Sequence, residues 1–246
     1  MKNLKYLYSI VFVLTIVLLG GSLTSCGVHE EIYLKKDGSG SVSSKIEVKQ
    51  ILVDYFANLA EVTGDSTDIS DGKLFNTKEI KTEIEKQPGV KVTSIKTSGK
   101  NLLTTKLEFR NIEDIFNSEK NLTAAGIISL TNSGESKIFR FHLDKKNYKQ
   151  LSVLIPVLSN PIMESLGPQE DDSTSEADYL DMMSFALGKD GPKAVKNSFV
   201  NVVVHVEGKI ISQKGGKISG NVVTFTIPLI KILLLNKPLD YTITFK

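Results

Sequence analysis

The sequence predicts an α+β domain: a mainly antiparallel sheet built from hairpins and packed with several helices. Three observations lead there. Alternating apolar and polar runs come in pairs joined by turn-forming residues, as at Asp37-Gly38-Ser39-Gly40 and Asn132-Ser133-Gly134-Glu135. Helical spacing governs other stretches, such as Ile51, Leu52, Tyr55, Phe56, Leu59 and Val62. Alternation then returns late in the chain, where Val200, Val202, Val204 and Val206 occupy every second position.

The first 25 residues stand apart. Lys2 and Lys5 form a short positive region, Tyr6 to Leu19 is almost wholly apolar, and Gly20-Gly21-Ser22 breaks the pattern. This is the order of a secretory leader. The apolar run is short for a membrane span, which needs roughly 20 residues. It ends in Leu23-Thr24-Ser25-Cys26, where small residues lead into the single cysteine of the chain. That stretch reads as a bacterial lipobox, in which the thiol takes a diacylglyceryl group and the chain is cut just before it. Cys26 is therefore the expected lipid-attachment residue, and the membrane is the expected partner. Several acyl chains, at about 0.8 kcal/mol per buried methylene, hold essentially permanently. Gly27 stands where an inner-membrane retention signal would place Asp, so the expected address is the cell envelope, on the outer membrane where the cell has one. A lone cysteine excludes a disulfide within the chain.

The predicted organisation is a signal peptide over residues 1–25 and a single α+β domain over 26–246, with a helical segment at about 145–197. The 221 residues of that domain suffice for one core. Removing Lys2 and Lys5 takes the 30 basic residues to 28, equal to the 28 acidic ones. A neutral chain carries no nucleic-acid footprint.

Glu31 to Lys35 and Val42 to Val48 form the first predicted hairpin, about five residues after Cys26. Its Asp37-Gly38-Ser39-Gly40 turn is no phosphate loop, because neither a Lys-Ser/Thr pair nor a helix start follows. A helix is expected from about Gln50 to Thr63. Gly64 to Asp71 is a polar loop whose three Asp residues lack the alternate spacing of a calcium loop. Asn76-Thr77-Lys78-Glu79 is a capping box for a helix with Ile80 and Ile84 on one face, stopped by Pro88-Gly89. Strands at Val90 to Thr97 and Leu102 to Phe109 follow, and Asn111 caps a short helix through Ile115 and Phe116. A further hairpin runs from Gly126 to Leu130 and returns from Ile138 to Leu143. Its Phe139, Phe141 and Leu143 face inward, which puts Arg140 and His142 on the wetter side without a visible partner. His205, between Val204 and Val206, reads the same way. His29 precedes the first strand, and three scattered histidines make no zinc site.

The segment from Lys145 to Gly188 is the most unusual. Tyr148, Leu151, Leu154, Ile155, Leu158, Ile162, Met163 and Leu166 make an apolar helical pattern broken at Pro156 and Pro161. Ser175 caps a second helix carrying Tyr179, Leu180, Met182, Met183, Phe185 and Leu187. Methionine adapts to irregular partners and is common on promiscuous apolar surfaces. Leu154, Leu158, Met163, Met182, Met183 and Phe185 are therefore the candidate ligand groove, although the plainer reading makes these helices ordinary core. After the valine strand, Gly208 breaks the run, Lys209 to Ser212 continues, and Gly215-Gly216 turns. Val223 to Ile227 and Tyr241 to Phe245 are strands, with the apolar stretch Pro228 to Leu235 between them read as buried.

Two places resemble the LppM-domain lipoproteins, a bacterial envelope family. One is the start, where the cysteine is followed by a strand, Asp37-Gly38-Ser39-Gly40, and a second strand leading into a helix. The other is Val204-His205-Val206-Glu207-Gly208-Lys209-Ile210 with Gly220-Asn221-Val222-Val223-Thr224-Phe225-Thr226-Ile227-Pro228. Glu207 stands where that family usually has Pro, and Phe225 where it usually has Trp. The residues from about 64 to 196 are unmatched. The resemblance implies an α+β envelope domain with a lipid-binding role and carries over no catalytic residues.

The expected function is a membrane-anchored envelope lipoprotein acting as a binding module for a lipid or a protein partner. The alternatives are a structural or assembly lipoprotein and an envelope hydrolase. The chain offers no Gly-x-Ser-x-Gly elbow and no paired histidines, so no catalytic residue, metal or cofactor is expected.

Overall fold

A computed structural model describes residues 27–63, 74–113, 126–153, 166–169 and 174–246. Cys26, Leu154, Leu158 and Met163 lie outside the described residues, as do the leader, the Gly64 to Asp71 loop and the positions of Ile115 and Phe116.

The strands among the described residues are β1 (Gly27–Leu34), β2 (Gly40–Glu47), β3 (Val90–Ser98), β4 (Leu102–Phe109), β5 (Ile128–Ser133), β6 (Ser136–Leu143), β7 (Phe199–Val206), β8 (Ile210–Lys214), β9 (Lys217–Ser219), β10 (Val222–Pro228) and β11 (Leu239–Phe245). The helices are α1 (Gln50–Thr63), α2 (Thr77–Glu85), α3 (Glu176–Leu187), α4 (Gly191–Lys196) and α5 (Leu229–Leu234), with a 3-10 turn at Tyr148–Val153.

The α+β class holds, and the hairpins form as their turns predict. In the first, Asp37 Oδ1 accepts from the Ser39 backbone N–H at 2.8 Å and Lys35 N–H bonds Ser39 O at 2.9 Å, closing the turn between β1 and β2. Asn76 caps α2, its side-chain oxygen accepting from the N–H groups of Lys78 and Glu79. Ser175 caps α3 through the N–H of Asp178. Asn111 Oδ1 accepts from Glu113 N–H at 3.1 Å.

Three features differ from the pattern reading. Strand β1 begins at Gly27, four residues before the predicted start, so no tether separates it from Cys26. The β5–β6 pairing runs to Ser133 opposite Ser136, leaving a two-residue turn at Gly134-Glu135. The strands also divide into two sheets. One has the order β3-β4-β2-β1-β7-β10-β9, and the other β5-β6-β11-β8. In the first, β1 and β7 pair in parallel along their whole length, Gly27 opposite Phe199 and Leu34 opposite Val206, while the other neighbours are antiparallel. After Val206 the chain crosses to the second sheet as β8, passing Gly208 at φ +117°, where a Cβ would collide with the carbonyl of Lys246. Only glycine takes that conformation without strain.

The two sheets share one apolar core. Leu34, Leu107, Phe109, Val204, Val206 and Val223 enter it from the larger sheet, Phe139, Leu143, Ile243 and Phe245 from the smaller, and Ile80 and Ile84 from α2. Each such side chain contributes about 1.5–3 kcal/mol on burial. In one row of the larger sheet's inner face three polar side chains, Thr105, Ser44 and Glu30, interrupt this apolar lining, and Val202 and Phe225 continue the row as cross-strand neighbours in that order.

A second cluster is helical. Tyr179, Leu180, Met183 and Leu187 of α3 pack with Val195 of α4 and Ile230 of α5, against Ile51, Leu52 and Tyr55 of α1. The apolar stretch after β10 is thus a short helix with Ile230 buried and Leu235 behind it at φ +42°. Connectivity fixes where this cluster sits. Helix α1 starts three residues after β2 ends at Glu47, α4 ends three residues before β7 starts at Phe199, and α5 follows Pro228 at the end of β10. Glu47 and Phe199 both pair with Gly27. The helices therefore cap the end of the sheet at which β1 begins.

Candidate functional site

The two ends of β1 carry different chemistry. At the Gly27 end, α3 turns Tyr179, Leu180, Met183 and Leu187 inward. Met183 is 2% exposed and belongs to the core of that cluster. Tyr179 donates a 2.7 Å hydrogen bond to Leu166 O, which satisfies its buried hydroxyl. Met182 and Phe185, three residues apart, occupy the opposite face at 42% and 95% exposure. Of the groove residues read from the sequence, Met182 and Phe185 are brought together on the surface and Met183 is placed beneath them.

At the Leu34 end the parallel strands part. Lys35 turns back toward β2, while Glu207 leads away toward the other sheet. A cavity of about 650 Å³ opens in the fork, lined among others by Tyr33, Lys35, Ser41, Glu108, His205, Glu207 and Asn221. Its walls are tied. Glu207 N–H bonds Leu34 O at 2.9 Å, the Glu207 carboxylate accepts from Lys36 N–H at 3.0 Å, and Asn221 Nδ2 donates to Val206 O at 3.1 Å.

Three side chains on the outer face of the sheet make a locked group here. Glu31 Oε1 accepts from the Tyr33 hydroxyl at 2.9 Å and lies 3.0 Å from His205 Nε2. The Tyr33 and His205 rings stack with centroids 4.2 Å apart and planes 10° from parallel. The Tyr33 hydrogen bond first, and His205 after it, hold the Glu31 carboxyl below the usual carboxylate range. Alternation placed His205 on this face, yet its partners lie across a parallel pairing and were invisible.

His142 likewise has neighbours that pattern reading missed. It lies 3.3 Å from Arg140, 3.4 Å from Asp144 and 3.5 Å from Asp240. Asp240 is itself bridged to Arg140 and Lys214 at 2.7 and 2.8 Å. This is a surface ion-pair network on the outer face of the smaller sheet. Among the described residues no three His, Cys, Asp or Glu side chains are arranged to hold a metal ion, and no helix is long and apolar enough to cross a membrane.

These features define an α+β domain with an apolar patch at one end of its central strand and a polar fork at the other. No family model and no curated protein matches the chain. Among solved structures the chain is similar to the folded domain of the Mycobacterium tuberculosis LppM protein, determined by NMR. The match covers 89% of this chain and 88% of that one, at 12% identity and a TM-score of 0.41.

Proposed function

We propose that the protein is a lipid-anchored module of the bacterial cell envelope, fastened at Cys26, that binds lipid through the surface of α3. One observation carries the reading. The exposed pair Met182 and Phe185 stands on the helical cap at the end of the sheet where β1 begins, and Cys26 is the residue before β1. An acyl chain on Cys26 brings that end to the bilayer. A phenylalanine 95% exposed gains free energy by leaving water, at roughly 25 cal/mol per Å² of apolar surface buried. The lipobox supports the anchoring and the envelope address, on the outer membrane where the cell has one. No catalytic role is assigned to any residue.

The test is native mass spectrometry of the mature chain with Cys26→Ser, incubated with envelope lipid extract, alongside flotation with vesicles. Lipid adducts and flotation are expected, and both should weaken in the Met182→Asp, Phe185→Asp double variant. An absence of adducts across all lipid classes, with no flotation, removes the lipid reading. Labelled palmitate should enter the wild-type chain and be absent from Cys26→Ser.

A further inference from the structure

We propose that the fork at the carboxyl ends of β1 and β7 is a carbohydrate-binding subsite, in which a neutral sugar ring stacks on Tyr33. It lies at the opposite end of β1 from the α3 patch and does not depend on it.

The topology makes the space. Strands β1 and β7 end side by side and their connections then run opposite ways, Lys35 back toward β2 and Glu207 toward the second sheet, which leaves a recess above the bonds that tie Glu207 to Leu34 and Lys36. The recess, about 650 Å³ and open to solvent, has room for a sugar ring.

Tyr33 supplies the platform. His205 covers one face of its ring, and the neighbour on the other side is Ser41, its partner in the register of β1 and β2. A side chain as small as serine leaves that second face open, and Tyr33 is 46% exposed although it stands within a sheet. The ring is already fixed by the Glu31 hydrogen bond and the His205 stack, so little rotamer freedom remains to be lost on binding.

The lining selects the ligand. A π face carries partial negative charge and attracts the slightly positive C–H groups on the flat side of a sugar. Beside it stand Glu108, across Ser41, and Lys35 and Glu207 at the mouth. These offer donors and acceptors of both signs to hydroxyl groups. One lysine among carboxylates is a poor seat for a phosphate, which wants clustered cations or helix N–H groups. A neutral, hydroxyl-rich ring with an apolar face fits all of these groups together.

The experiment uses the acylated mature chain in a sugar-free detergent, with chitohexaose and mannohexaose as probes and pentalysine as a charged control, read by saturation-transfer NMR. Transfer to the ring C–H protons of at least one oligosaccharide is expected. It should fall at least fivefold in Tyr33→Ala and in Ser41→Leu, which fills the space over the ring from the surface and leaves the core alone. It should persist in Phe185→Asp, which separates this result from the lipid reading. No transfer from either sugar, or transfer unchanged in both Tyr33→Ala and Ser41→Leu, overturns the proposal. So does pentalysine displacing the sugars at equimolar concentration, since the subsite would then be one for cations.

Discussion

Ser44 Oγ donates a 2.6 Å hydrogen bond to Glu30 Oε1, and both project onto the inner face of the seven-stranded sheet, between rows of valine, isoleucine and leucine. Burial pushes the Glu30 carboxyl up to about 7, with the Ser44 hydrogen bond pulling weakly the other way. A carboxyl raised in the folded state keeps its proton where the unfolded chain, with a value of 4.5, has released it. Stability should therefore decline as pH rises from about 4.5 to 7, and the full penalty applies above that range. Glu30→Gln should flatten this decline and exceed the wild type at pH 8 by about 2 kcal/mol. Urea titrations at pH 5 and pH 8 decide it; a variant and wild type that keep the same gap at both pH values count against the assignment.

Asp240 behaves oppositely. The Lys214 hydrogen bond first, and Arg140 with it, hold its carboxyl down at about 2, from an ordinary value of 3.8. Its contribution is complete above the unfolded value and is lost as pH falls through about 4 to 2. Asp240→Asn should lower stability at pH 7 by about 1 kcal/mol, a figure reduced for solvent screening, and leave little difference at pH 2. Thermal melts across that acid range provide the check.

Gly40 opens β2 directly beneath the fork. A Cβ there would meet the carbonyl oxygen of Tyr33 and come within 2.7 Å of Phe109 Cζ. Backbone cannot move aside as a flexible side chain can. Gly40→Ala should destabilise the fold by about 3 kcal/mol. A loss below about 0.5 kcal/mol in equilibrium unfolding, the scale of an ordinary surface change, contradicts the packing described.

Two phenylalanines give contrasting expectations. Phe245 is fully buried between the sheets, and Phe245→Ala should cost about 4 kcal/mol. Phe185→Asp should change stability by no more than about 0.5 kcal/mol, since its ring touches mainly water, while reducing vesicle flotation. Equal losses of melting temperature in the two variants would place Phe185 in a packed environment that the structure does not contain.

Local chemistry made much of this legible. The Asp37 to Gly40 turn, the Asn76 and Ser175 caps and the helical spacing of α1 are short-range signals, and each produced its element. Long-range pairing has no such signal. His205 and Glu31 are 174 positions apart and meet only because β1 and β7 run side by side in parallel. Glu30 masks the start of β1. A charged residue in an inward position interrupts alternation, so the alternating pattern begins only at Glu31 although the ladder starts at Gly27. The second sheet was hidden for a related reason: Gly208 marks a break, and nothing beside it says that the chain crosses to another layer.

The start of β1 at Gly27 also sets a reach. A lipid on the neighbouring sulfur would be joined to the central strand with no residue between them. The eight residues of β1 measure about 26 Å at roughly 3.3 Å per residue, which is the greatest separation that strand could put between such a lipid and the fork. What the far end could touch would be bounded by that length and by the thickness of whatever layer lies above the bilayer.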